Sequence, residues 1–169
     1  MNVILRPWQA DDLDSLVKNA NNPDVAKFMM NKFPSPYTEE DGKNFIAFAS
    51  APEIPLIKAI VVDEKAVGGI GLNLKEDIMC KNAEMGYWLG EDYWGKGIMS
   101  SVIMKMVLHG FEHFDINRIF ARPFGTNTGS QRVLEKAGFT FEGRFEKTIF
   151  KNGEYQDELF YAIRRSALD

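Results

Sequence analysis

Gly86-Tyr87-Trp88-Leu89-Gly90, followed by Trp94-Gly95-Lys96-Gly97-Ile98, is the stretch on which the fold turns. It reads as the end of an apolar strand, a tight glycine-containing loop and the first turn of a long helix. Glycine lets the backbone approach an anion closely. The first amides of a helix have no partner within it, and its dipole adds roughly half a positive charge at that end. The segment is therefore a cradle for an anion, and the identity of that anion decides the function.

Downstream, Ile98, Met99, Val102, Ile103, Met106, Val107, Phe111 and Phe114 form a broad apolar stripe at helical spacing, which predicts a helix over 98–114. A strand over 118–124, a helix over 127–136 stopped by Gly138 and a strand over 139–146 follow. Asn152-Gly153 then turns a hairpin into a strand over 155–163. Upstream, the strand that ends at Leu89 extends back to Asn82, with Ala83, Met85, Tyr87 and Leu89 on one face and Glu84, Gly86 and Trp88 on the other. A hairpin precedes it, with strands over 54–62 and 66–74 flanking Asp63-Glu64-Lys65.

The remaining N-terminal part reads as a strand over 3–6, a helix over 10–19 with Asp11 and Asp12 at its positive end, and a short helix over 24–30 opened by Asn22-Pro23. Thr38 starts a third helix, to about residue 50, with Asp41 completing a capping box in place of the usual Glu or Gln. Helices first, a meander of strands, then two strand-helix-strand units define a mixed α/β, or α+β, class.

With 169 residues, 45% hydrophobic and 26% charged, the chain is long enough for one core, and a single domain over 1–169 is expected. A net charge of -4 argues against nucleic acid as a partner, so any phosphate must be held by a local site. Cys80 is the only cysteine, which fits a reducing compartment. Neither a signal peptide nor a membrane span is expected, and the cytoplasm is the default location.

Gly90, Gly95 and Lys96 stand at P-loop spacing, but Gly97 occupies the place of the hydroxyl that would bind magnesium. A dinucleotide fingerprint lacks its third glycine. A wider set of residues carries more weight. Leu5-Arg6-Pro7, Pro34-Ser35-Pro36-Tyr37-Thr38, Glu84-Met85-Gly86-Tyr87-Trp88-Leu89, Tyr93-Trp94-Gly95-Lys96-Gly97, Asn127-Thr128-Gly129-Ser130 and Glu135-Lys136-Ala137-Gly138-Phe139 follow in an order that resembles the GNAT acetyltransferases. Within that family the chain is most similar to the branch of bacterial ribosomal-protein N-terminal acetyltransferases.

The resemblance implies a GNAT fold: a mixed, mostly antiparallel sheet with a splayed parallel central strand pair and helices on both faces. It also implies acetyl-CoA as the acyl donor, with no metal. The family's pyrophosphate loop, Q/R-x-x-G-x-G/A, falls on Trp94, Gly95, Lys96, Gly97, Ile98 and Met99, keeping the central glycine and losing both ends. The pantetheine is then expected to pair with the backbone near Trp88 and Leu89. Asn127 is implied to contact the pantetheine and Ser130 to donate to the departing sulfur. Three residues apart at a helix start, the two share a face, and Asn127 is equally a good N-cap.

Acetyl transfer to an amine needs the amine neutral, donors for the developing oxyanion and help for the thiolate. Glu84, on the face opposite Met85 and Tyr87, is the candidate general base, and acting directly it would need a pKa raised by burial. A Glu on a half-exposed strand is also an ordinary solubilising residue. His109-Gly110-Phe111-Glu112-His113 matches a zinc-peptidase string without a distant third ligand, and Cys80 has no activating neighbour. Trp8, Phe28, Phe33 and Tyr37 are either an acceptor pocket or core.

The function expected is therefore acetyl-CoA-dependent N-acetylation of a primary amine by direct transfer in a ternary complex. An N-terminal α-amino group of a protein or peptide is the branch-based acceptor. A polyamine, amino acid or antibiotic is the rival, and a non-catalytic acyl-CoA-binding sensor the competing class. The oligomeric state, a homodimer included, stays open.

Overall fold

In the computed structural model, which describes residues 1–51 and 56–169, the strands are β1 (Val3–Arg6), β2 (Ile57–Val62), β3 (Lys65–Leu74), β4 (Asn82–Leu89), β5 (Arg118–Ala121), β6 (Thr140–Lys151) and β7 (Glu154–Arg164). They form a 7-stranded sheet in the order β1-β2-β3-β4-β5-β7-β6. β4 and β5 are parallel, while β1–β2, β2–β3, β5–β7 and β6–β7 pair antiparallel. The α-helices, on both sides of the sheet, are α1 (Leu13–Ala20), α2 (Pro23–Ala26), α3 (Glu39–Ala49), α4 (Ile98–His113) and α5 (Thr128–Lys136). This is the mixed class that the residue pattern predicts, with the parallel pair that the family resemblance implies. Among the described residues no helix is long and apolar enough to cross a membrane.

The turns follow their local chemistry. Asn152 and Gly153 have φ of 52° and 77°, the paired left-handed geometry of a tight hairpin, and Asp63 and Glu64 adopt it too, at 44° and 72°. Thr38 and Asp41 make the expected reciprocal cap: the Asp41 amide donates to the Thr38 hydroxyl at 3.2 Å, and the Thr38 amide to the Asp41 carboxylate at 2.7 Å. Elsewhere the boundaries shift for physical reasons. The helix expected over 10–19 begins as a 3-10 turn at Ala10–Asp12, because Asp12 accepts the Gln9 amide at 2.9 Å and is gripped by Arg6 at 2.7 Å. The one expected over 24–30 is helical only at Pro23–Ala26, after which Met29 bonds back to Ala26 over three residues. The strand expected over 118–124 stops at Ala121, since Pro123 has no amide for the ladder, and Phe124 rejoins as an isolated bridge to Glu158. Ile54, the expected start of a strand, lies outside the described residues.

The described residues make two compact units, Met1–Gly71 with Tyr87–Ile98, and Leu72–Gly86 with Met99–Asp169. In the first, Trp8, Leu16, Tyr37, Val61 and Trp88 are buried in one cluster, with the rings of Trp8 and Phe45 edge to face at 5.2 Å. Trp8 and Tyr37 are thus core, with Phe33 packed against them, its ring 5.8 Å from Trp88. In the second, α4 buries Val102, Ile103, Met106 and Val107 on one stripe. Gly110 lets that helix sit close, since a Cβ there would come within 2.7 Å of Leu72. Burying each such aliphatic side chain contributes roughly 1.5–3 kcal/mol, so this stripe is a main reason the helix forms.

Candidate active site

The first unit carries the glycine turn. The Gly90 amide donates to the Val67 carbonyl at 2.8 Å, and a 3-10 turn at Glu91–Tyr93 leads to Trp94. Gly95 and Gly97 have φ of +70° and +74°, where a side chain is strained, yet a Cβ at either would meet nothing within 4 Å. The backbone thus requires glycine while the space beside it is open, as a main-chain anion cradle demands. Ile98 and Met99 are buried. Their side chains are core, so a ligand has only their backbone, and the departure of Met99 from the family signature is absorbed by packing.

The flanking residues are held by the turn itself. The Trp94 indole donates to the Leu89 carbonyl at 2.7 Å with its ring 43% exposed. Lys96 donates to the Asp92 carbonyl at 2.7 Å and lies 5.5 Å from the centre of the Tyr93 ring. Trp88 and Leu89 are buried, which leaves main-chain groups as their means of meeting a cofactor.

The second unit carries Glu84. Backbone pairing of β4 with β5 runs through Asn82↔Arg118 and Ala83↔Ile119 and ends at Glu84↔Phe120. At that end Glu84 accepts from Lys75 Nζ through Oε2 at 2.8 Å and from Arg122 Nε through Oε1 at 2.7 Å. Arg122 Nη1 also lies 3.5 Å from Glu158 Oε2. Burial pushes the Glu84 carboxyl up, but the hydrogen bonds and charges of Lys75 and Arg122 outweigh it and hold the group below its ordinary 4.5. The raised pKa that a directly acting base would need is therefore not present, because two cations face the carboxylate. Gly86, next on the same strand face, has no side chain, and a Cβ there would meet nothing within 4 Å. The carboxylate is ionised at neutral pH beside open space.

Asn127 caps α5, its Oδ1 accepting the Ser130 amide at 3.1 Å. The cap fixes Ser130, half-buried, in the first turn, and leaves the Asn127 amide nitrogen as the group able to serve a ligand. Lys75, Arg122 and Glu158 are the polar neighbours that sequence reasoning missed. A signal existed for one of them: Arg118, Phe120 and Arg122 alternate with Ile119 and Ala121, which puts two arginines on one strand face. His109 and His113 stack at 4.0 Å on the surface of α4, and among the described residues no cluster of ligands able to hold a metal ion occurs.

β4 and β5 form the parallel pair of the sheet, and the glycine turn opens α4, the helix that lies between them in the chain. Residues 2–140 match the acetyltransferase (GNAT) domain, and the chain belongs to that family. It is 31% identical over 162 residues, 94% of this chain and 90% of the relative, to the uncharacterized N-acetyltransferase p20 of Bacillus licheniformis. Against the Escherichia coli ribosomal-protein-serine acetyltransferase it is 31% identical over 103 residues, 61% of this chain and 57% of that one. A Bacillus subtilis relative, 30% identical over 104 residues, is likewise matched over only 56% of its length. Among solved structures, a GNAT-family acetyltransferase from Bacillus anthracis superposes with a TM-score of 0.83 at 27% identity, covering 98% of this chain and 96% of that one. The microcin C7 self-immunity acetyltransferase MccE, solved with acetyl-CoA and AMP, gives 0.84 at 26%, covering 96% and 92%.

Proposed function

We propose that the chain moves the acetyl group of acetyl-CoA to the α-amino group at the N-terminus of a protein or peptide, directly and within a ternary complex. The open, glycine-lined turn supports acetyl-CoA as donor, as does the acetyl-CoA bound in the MccE structure. Bound there, acetyl-CoA supplies the thioester. The backbone of Gly95, Gly97, Ile98 and Met99, flanked by Trp94 and Lys96, holds its pyrophosphate. As the family resemblance implies, the main chain at Trp88 and Leu89 and the Asn127 amide would orient the pantetheine, and Ser130 would donate to the sulfur. Similarity to the Escherichia coli ribosomal-protein-serine acetyltransferase supports a protein acceptor.

The observation that carries the choice of amine is the clamped Glu84. A carboxylate held below its ordinary pKa is a weak base and takes a proton, through a water, only from an amine that gives it up easily. An α-amino group with a pKa of about 8 is neutral roughly one time in ten at pH 7, a cost of about 1.4 kcal/mol. A lysine amine with a pKa of about 10.4 is neutral about once in 2,500, roughly 4.6 kcal/mol. The weak base serves the first.

The test is a thiol-release assay with acetyl-CoA and three acceptor sets: peptides with a free N-terminus and no lysine, N-blocked peptides with lysine, and free amino acids or polyamines. Acetylation of the first set, located by mass spectrometry on the α-nitrogen, is expected. Turnover confined to blocked lysine peptides or polyamines would overturn the acceptor assignment, and the absence of thiol release above background with every set would favour a sensor.

A further inference from the structure

We propose that Arg122 is a positioning residue for the transfer, bracing the Glu84 carboxylate at the point where β4 and β5 part. The inference rests on the reading of Glu84 as the base. The last backbone rung of the parallel pair is Glu84↔Phe120, and just beyond the end of β5 the Arg122 side chain takes over the bridging. Its guanidinium is fixed from two directions, by Glu84 Oε1 at 2.7 Å and by Glu158 Oε2 on β7 at 3.5 Å. The planar guanidinium meets a carboxylate on each of two sides, whereas the Lys75 ammonium on the other Glu84 oxygen is a point charge on a four-carbon stem.

The remaining charges nearby are committed elsewhere. Arg118 lies 4.7 Å from the centre of the Phe120 ring and donates to Glu142 at 2.6 and 3.0 Å, and Arg164 also reaches Glu142, at 3.1 Å. Glu84 therefore faces the Lys75 and Arg122 cations, with the Glu158 carboxylate behind Arg122. Each carboxylate oxygen has two lone pairs and spends one on a cation, so one on each stays available for a water or an incoming amine. Arg122 sets where those lone pairs point.

The experiment uses the full chain, acetyl-CoA and an α-amine peptide, with Arg122→Gln, Arg122→Lys, Glu84→Gln and the double variant Arg122→Gln/Glu84→Gln. Arg122→Gln is expected to lower kcat about 10-fold, part of the roughly 10²- to 10⁴-fold that a positioned base supplies, with KM for acetyl-CoA within about twofold. The acid break of its pH profile, where Glu84 takes up a proton, moves to higher pH, and Arg122→Lys recovers part of the rate. On the Glu84→Gln background the same Arg122→Gln change costs less than about twofold, the coupling a shared function requires.

A pH break that stays in place, or an equal loss with and without Glu84, would reduce Arg122 to a tie between strands and overturn the proposal. Full turnover by Glu84→Gln alone would instead remove the base itself, and the proposal with it. Arg122→Lys keeps the charge and serves as the measured variant if Arg122→Gln does not fold.

Discussion

The glycine turn at residues 94–99 and the carboxylate at Glu84 are built by opposite means. The turn is main chain: two glycines in left-handed geometry, helix amides behind them, and side chains either buried or folded back on their own turn. The Glu84 site is side chain: a carboxylate tuned by residues 75 and 122, with 158 behind, which only the sheet brings together. Main-chain chemistry survives many substitutions, while side-chain tuning depends on each partner. Changes at the turn should therefore appear in cofactor binding, and changes around Glu84 in turnover and its pH dependence.

The largest effect expected is that of Glu84→Gln, a fall in kcat of about 100-fold or more, with KM for acetyl-CoA within about threefold. Steady-state kinetics with a saturating peptide acceptor checks it, and a loss confined to KM would erase the contrast. Next comes Gly97→Ala. Its left-handed φ of +74° costs the fold roughly 1 kcal/mol, but the new methyl meets no protein atom within 4 Å. Coenzyme A affinity by calorimetry should nevertheless fall about 10-fold, about 1.4 kcal/mol, because the methyl enters the space proposed for the ligand. Unchanged affinity in a folded variant would mean that the ligand lies elsewhere.

The two regions also differ in how far the sequence foretells them. Gly95-Lys96-Gly97 ahead of an apolar helical stripe is local information, and φ follows from residue type, so the turn was legible. So were the β4–α4–β5 unit and the Asn152-Gly153 hairpin, whose signals lie within a few residues of one another. The insertion of β7 between β5 and β6 was not, because strand order depends on tertiary packing. The ionisation state of Glu84 was not legible for the same reason. Burial alone predicts a raised pKa, and the cations that reverse it stand 9 and 38 residues away along the chain.

A smaller effect should come from Ser130→Ala, about five- to tenfold in kcat, the scale of one hydrogen bond of about 1–1.5 kcal/mol. Stability should show the side-chain network directly. For both Glu84 and Glu142 burial pushes the carboxyl up, but their hydrogen bonds to Lys75 and Arg122, and to Arg118 and Arg164, leave each below its ordinary 4.5. Their stabilisation is thus complete above that value and is lost as pH falls through the lower folded pKa values. Tm should hold near neutral pH and drop below about pH 4.5, and a Tm that stays flat down to pH 3 would dissolve the network as a source of stability.

The smallest effect sharpens the comparison most, because it concerns the one charged side chain in the glycine turn. A lysine in a turn proposed to hold a pyrophosphate invites a role as counter-ion, yet Lys96 donates to the Asp92 carbonyl at 2.7 Å and rests over the Tyr93 ring. To reach a phosphate it must give up both contacts, and at an exposed site the Coulomb gain is only about 0–1 kcal/mol and is screened by salt. Lys96→Ala should accordingly change KM for acetyl-CoA by less than about twofold at 0.15 M salt, a modest penalty emerging only at low ionic strength. A tenfold loss at physiological salt would mean that the ammonium leaves Asp92 when coenzyme A binds, and the turn would then depend on a side chain as Glu84 depends on Arg122.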